Sequence, residues 1–200
     1  MTNNTPAPTH PLRCQCGAVA GHVDSGGVSN RVICYCNSCR CFAKFSGAAD
    51  VLDHSGGTKI IQVAASRVQL TRGIENLAAI RLTESGMIRW YTSCCKTPIG
   101  NTLANHKFDY IGLIHSCLNQ QALEPSFGSY VAHINVDEAL GEPKPTSRGA
   151  IKTFVRILGM IVPGRLAGRF KHNLFFSGAG APIVTPRVLE VGELKRLQQE

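Results

Sequence analysis

Nine cysteines in 200 residues are the side chains of this sequence best placed to do chemistry, and most of them come in close groups. Cys14-Gln15-Cys16-Gly17 and Cys34-Tyr35-Cys36-Asn37-Ser38-Cys39 put five thiols on two short segments, and Cys94-Cys95 adds two more. Thiolates hold zinc at about 2.3 Å in a tetrahedral arrangement, so a zinc site needs several sulfurs carried by tight turns from distant segments. The C-x-C spacing sets two sulfurs on one side of an extended segment, and C-x-x-C is a common knuckle spacing. Free cysteine is also among the most buried residue types, but clusters at these spacings favour a metal over a purely apolar role. A redox pair at Cys36 and Cys39 would call for a βαβ context that the pattern does not show. An iron–sulfur cluster stays open, because thiolates bind iron as well.

These thiols need elements to hold them. An apolar fraction of 44% is enough to build a core. Up to about residue 140 the sequence reads as short extended segments between breaks such as Ser25-Gly26-Gly27, Ser55-Gly56-Gly57 and Glu84-Ser85-Gly86. Ala78–Thr83 and Gly86–Thr92 alternate apolar and polar residues as the two arms of a hairpin, and a further strand is expected over Tyr110–Leu118. Beyond residue 140 the period changes. Ile151, Phe154, Val155, Leu158, Ile161 and Val162 recur at helical spacing with Arg148, Lys152 and Arg156 on another face, and Pro163 is expected to end that helix. A second short helix is expected over Val191–Gln198.

The charge follows the same division. Of a net charge of +8, all of the excess lies between Glu142 and Glu190, where eight basic residues stand with no acidic one. The expected organisation is a flexible lead-in over 1–11, a zinc-binding domain over 12–140 and a basic helical extension over 141–200. No apolar run approaches the roughly 20 residues of a membrane span. Met1–His10 lacks the order of a secretory signal, and cysteines in such a chain stay reduced, so a cytoplasmic protein is expected.

The ordered motifs C-x-C-G, then C-x-C-x-x-C, then a cysteine followed by Thr-Pro resemble the glutathione-dependent formaldehyde-activating enzymes and their centromere protein V relatives. The first two stand as Cys14 to Gly17 and Cys34 to Cys39, and the third as Cys95-Lys96-Thr97-Pro98, followed by Ile99-Gly100-Asn101; the resemblance spans roughly residues 12–135. It implies a mainly β fold, a zinc-stapled β-tent similar to that of Mss4, here with a C-terminal amphipathic helical extension. It also implies two Zn2+ sites: a structural one on Cys14, Cys16 and Cys95 with a fourth ligand, and a catalytic-type one on Cys34, Cys36 and Cys39 with one position open. Three departures stand out. Thr92 replaces the first cysteine of the third motif, so Cys94 is the candidate fourth ligand and reaches the metal only if the backbone turns there. Lys96 replaces a glycine. Cys41 extends the second cluster and would close its open position if it bound the metal.

The activity implied by the resemblance is that of a carbon–sulfur lyase of the S-(hydroxymethyl)glutathione synthase type, with glutathione or another small thiol as partner. His54, His106, His115 and His133 carry no positional pattern and receive no role. Trp90 and Tyr91 read as strand core, and Cys117 as a buried, inert thiol. The alternative is a non-catalytic, zinc-stabilised binding module whose basic C-terminal helix contacts a partner protein, nucleic acid or a membrane surface. Packing of the helix's apolar face on the β body is the favoured arrangement, and homodimerisation through Phe154, Leu158 and Ile161 is a further possibility.

Overall fold

The alternation of apolar and polar residues before residue 140 is realised as strands in the computed structural model, which describes residues 8–118 and 122–199. In chain order these are β1 (Thr9–Arg13), β2 (Ala20–Asp24), β3 (Asn30–Cys34), β4 (Thr58–Val63), β5 (Val68–Arg72), β6 (Leu77–Arg81), β7 (Ile88–Thr92), β8 (Pro98–Thr102), β9 (Ile111–Ile114), β10 (Val131–Ile134) and β11 (Arg187–Val188). The helices are α1 (Asn37–Phe45), a single-turn α2 (Glu124–Phe127), α3 (Ala150–Leu166) and α4 (Val191–Gln199). The chain is therefore mainly β with a C-terminal helical extension.

Eight strands form one sheet in the order β10-β3-β4-β9-β8-β7-β6-β11, and β1-β2-β5 form a second. Pairing is antiparallel except where β10 joins β3 and β11 joins β6. The period of two sends alternate residues of the large sheet into two cores. One face carries Ile61, Val63, Ile88, Trp90, Ile99, Ile111 and Leu113, which meet Leu12, Val23 and Val68 of the small sheet. The other carries Val32, Cys34, Ile60, Ile80 and Ile114, covered by Phe42, Cys39 and Cys41 of α1. Trp90 is fully buried and its indole N–H donates to Thr102 Oγ1 at 2.9 Å, so its polar atom is satisfied inside the core. Burying a side chain of the size of Phe42 or Trp90 is worth about 1.5–3 kcal/mol.

The hairpin expected at residues 78–92 is present as antiparallel β6 and β7. Three boundaries differ. β1 starts at Thr9 with His10 buried, inside the expected lead-in, because pairing with β2 satisfies its backbone; residues 1–7 of that lead-in lie outside the described residues. β9 ends at Ile114, and His115–Cys117 turn into a 3-10 helix. Helix α3 runs to Leu166, past Pro163. Proline lacks the N–H that would bond one turn back, yet its carbonyl still accepts from Ala167 N–H at 2.9 Å, so a last turn forms after it.

The larger correction concerns how α3 sits. Its buried residues are Thr153, Met160, Ile161 and Gly164, whereas Ile151, Phe154, Val155, Leu158, Val162 and Leu166 are exposed. Lys152 and Arg156 lie toward the β body instead. Arg156 donates to Asn30 Oδ1 at 2.9 Å and to the Ser29 carbonyl at 2.7 Å, Asn30 in turn donates to the Thr153 carbonyl, and the Lys152 ammonium stands 4.5 Å from the Tyr130 ring centroid. Polar groups at the start of β3 require partners once covered, and the arginine supplies them. The last helix, α4, rests on α1 through Leu194 and Leu197. No described helix is long and apolar enough to cross a membrane.

Candidate metal centres

Two groups of thiols converge: Cys14, Cys16, Cys94 and Cys95, and separately Cys34, Cys36 and Cys39, with the sulfurs of each group within 4.8 Å of one another. All seven cysteines singled out by spacing are in one or the other. In the first group the sulfurs of Cys14 and Cys16 are 3.6 Å apart, those of Cys16 and Cys94 3.4 Å, and those of Cys94 and Cys95 3.8 Å. A tetrahedral site with bonds of about 2.3 Å has sulfurs about 3.8 Å apart, so four thiolates here form a ready cage for a thiophilic ion.

Two loops build that cage. After β1 the chain turns at residues 14–17, where Gly17 takes a positive φ of 79° and its N–H donates to the Cys14 carbonyl. The other loop joins β7 to β8. Its Lys96 takes a positive φ of 55°, standing in the left-handed region that a glycine would occupy more easily. That reversal brings the neighbouring Cys94 and Cys95 to the same point, although adjacent residues of a strand face opposite ways. Thr92 is fully buried, and its hydroxyl accepts the Thr97 N–H at 3.1 Å and lies 3.4 Å from the Cys95 sulfur. It pins the turn that presents the two thiols. Thr97 Oγ1 accepts the Gln15 N–H at 2.9 Å and sits 3.1 Å from Cys95, tying one loop to the other. Burial opposes ionisation of Cys95, but the Thr92 and Thr97 hydroxyls outweigh it and bring its pKa down to about 5. Burial pushes the Cys14 thiol up.

The second centre lies where β3 runs into α1. Cys34 is the last residue of the strand, Cys36 caps the helix without a side-chain cap of its own, and Cys39 is in the first turn. The Asn37 N–H instead donates to Glu138 at 2.8 Å. A helix N-terminus favours negative charge, and the Cys36 thiol is held well below its ordinary value by hydrogen bonds from Cys34 and Cys39. Those two are pushed up for the same reason, with burial adding to it. Asn135, itself in the left-handed region, donates to the Cys34 sulfur at 3.2 Å.

Arg89 is the residue the sequence reading missed. It is 4% exposed and lies across this centre. Its guanidinium donates to Asn101 Oδ1 at 2.9 Å and to Ser38 Oγ at 3.0 Å, stands 3.9 Å from the Cys39 sulfur, and covers the Phe42 ring at 5.5 Å. Among the described residues it has no carboxylate partner. A buried cation needs a counter-charge, and the thiol triad is the group beside it able to carry one. The strand period hints at the placement, since Arg89 lies between Ile88 and Trp90 and so faces α1, but nothing in the spacing marks it.

Cys41 does not join the triad. Two residues along a helix rotate the side chain by about 200°, and its sulfur points at Asn37 Oδ1 (3.7 Å) and the Leu197 carbonyl of α4 (3.8 Å), fully buried. Among the described residues no fourth cysteine, histidine or carboxylate completes the second centre. Cys117 is fully buried, donates to the Ile99 and Ile114 carbonyls, and is pushed up to about 12 by burial. His133 pairs with Tyr35 and Arg148, and none of the four histidines left without a role stands in either centre. The donor sets therefore fit one ion held by four thiolates and one held by three with a position to spare.

The sequence profile of a family described as "Family of unknown function (DUF6151)" matches residues 7–183. No curated protein matches the sequence. Among solved structures, a Rhodobacter sphaeroides protein from a structural genomics programme is similar at 18% identity, covering 60% of this chain and 97% of that one, with a TM-score of 0.40.

Proposed function

The chain belongs to the DUF6151 family, and from its two thiol centres we propose that it is a two-zinc protein whose Cys34/Cys36/Cys39 site takes a small thiol such as glutathione in its fourth position. The first centre, Cys14, Cys16, Cys94 and Cys95, is then structural, because four protein thiolates leave no place for a substrate. One observation carries the reading: three convergent sulfurs beside a buried arginine, with Cys41 turned away.

In this reading Cys34, Cys36 and Cys39 hold the ion, Asn135 fixes the orientation of Cys34, and Arg89 balances the negative charge of the thiolate set. Zinc bound there would lower the pKa of an added thiol and supply Lewis acidity toward a carbonyl oxygen. The reaction class is the reversible joining of a thiol to a formaldehyde-like carbonyl: the thiol gives up its proton, the sulfur–carbon bond forms, the carbonyl pair moves to oxygen, and that oxygen takes up one proton, so that none is gained or lost overall. This is the activity implied by the likeness to glutathione-dependent formaldehyde-activating enzymes, which rests on the motif order from Cys14 to Pro98.

The test is metal analysis followed by assay. Purified protein is expected to carry two zinc ions, with glutathione changing the X-ray absorption spectrum of one by adding a sulfur, and to speed hemithioacetal formation from glutathione and formaldehyde. An unchanged rate would remove the lyase reading. A glutathione-insensitive spectrum would remove the open site.

A further inference from the structure

Helix α3 turns six large apolar residues to solvent. Ile151 and Leu166 are 82% and 84% exposed, Phe154 and Val155 60% each, Val162 51% and Leu158 44%. At about 100° of rotation per residue these six occupy one continuous arc of about 120°, the width of face that such a helix normally buries. The helix is not loosely held: its opposite side is fixed by Arg156 on Ser29 and Asn30 and by burial of Thr153, Met160 and Gly164, and Ile161 is buried at the edge of the arc. Arg165 lies inside the arc and Lys171 follows the helix, both exposed and, among the described residues, without an acidic partner at salt-bridge distance. The Arg169 guanidinium instead turns back to Gly164 and Asp109 on the docked side. Between Glu142 and Glu190 the chain offers no acidic residue of its own.

We infer that this face docks on an anionic lipid bilayer, with α3 lying in the headgroup plane. Apolar side chains entering the acyl boundary and cations meeting lipid phosphates or carboxylates are the two terms that hold an interfacial helix. Arg165 and the six apolar side chains share one side of α3. A second copy of the chain fits less well, because a two-fold contact through this face would set the two basic segments against each other. Nucleic acid would satisfy the arginines and lysines but leave six apolar side chains without a partner. At 17 residues the helix is about 25 Å long and lies on a bilayer rather than crossing one. The inference is independent of the metal centres.

The test is flotation of the metal-loaded full chain with vesicles of phosphatidylcholine alone or with about a third phosphatidylserine. Binding is expected on the anionic vesicles, stronger there by more than about tenfold and weakened by salt. The variant Phe154→Ser/Leu158→Ser/Val162→Ser alters exposed positions only and is expected to keep its circular dichroism and metal content while binding falls by more than about tenfold. Since Trp90 is the one tryptophan and is buried, Phe154→Trp adds a reporter whose emission should shift to the blue on anionic vesicles. Absence of flotation, or flotation untouched by the triple serine variant, would overturn the inference. So would a concentration-dependent dimer dispersed by the same variant, or binding to duplex DNA that survives it and exceeds binding to vesicles.

Discussion

The convergence of Cys94 and Cys95 on Cys14 and Cys16 is set by the turn that starts at Thr92. Thr92 closes the turn by accepting the Thr97 N–H, and the positive φ of Lys96 accompanies the approach of Cys94 to the sulfur of Cys16 at 3.4 Å. Single cysteine changes should therefore sort by centre. Cys36→Ser is expected to lower the bound metal from two ions per chain to one, and Cys41→Ser to leave it at two, as read by elemental analysis after gel filtration. Arg89 supplies a second residue-level expectation. Arg89→Met removes the charge beside Cys39 while keeping an unbranched chain over Phe42. Outer partners of metal ligands typically contribute about 10–100-fold in affinity, so zinc binding at the second centre should weaken by about that factor against a competing chelator while the first centre is unchanged. The cysteines were legible in the sequence because ligand spacing is a local property. Arg89 was not, because its role arises from the sheet carrying residue 89 over the start of a helix 50 residues earlier. Cys41 was ambiguous for a related reason: only the rotation of α1 shows that it faces α4.

At the scale of elements, the β6–β7 hairpin and helices α3 and α4 were expected from the sequence, whereas α1, which lies in the stretch read as extended, was not, and neither was the way α3 sits. Alternation gave the hairpin of β6 and β7, a helical period gave α3 to within a few residues, and α4 stands where a second short helix was expected. Yet the apolar face of α3, which would ordinarily be assigned to the core, is the outer one. The deciding contacts are polar: Asn30 and the Ser29 carbonyl claim Arg156, and no hydrophobicity pattern within the helix encodes the needs of a distant strand end. The last helix shows a milder case. Arg187 makes two bonds to Glu193, at 2.8 and 3.0 Å, and holds its carboxyl below the ordinary range. A depressed acid contributes stability in full above its unfolded-state pKa and loses it as pH falls through the folded value. The pair is well exposed on the arginine side, so its worth is only about 0.5 kcal/mol. Arg187→Gln is accordingly expected to lower stability by about that amount at neutral pH and by nothing once Glu193 is protonated, measured as the difference in denaturation midpoint between the two proteins across the acid range.

For the whole molecule, the question is how much of the fold the metals hold. The first centre joins the loop leaving β1 of the small sheet to the β7–β8 loop of the large one, and the second joins the end of β3 to α1. The first ties together segments distant in sequence, Cys16 and Cys94 being 78 residues apart, whereas the second is local, its three thiols lying at Cys34, Cys36 and Cys39. A small zinc finger collapses without its ion because it has little core of its own. This chain differs, since Trp90, Phe175, Ile88, Ile111 and Leu113 are buried at 0% exposure on one side of the sheet, and Phe42 and Ile80 at 1% and 0% on the other. Such a core supports the sheet without help, but the thiols left behind would be crowded at 3.3–3.8 Å with burial opposing their ionisation. Metal removal should thus lower the melting temperature without abolishing cooperative unfolding. If the loss is about 5 kcal/mol, a chain of this size should melt about 10–20 °C lower. Calorimetry under reducing conditions, before and after dialysis against a strong chelator, would show one cooperative peak in each case with the second displaced downward. A chelated protein lacking any transition would mean that the ions, rather than the two cores, are what the strands assemble around.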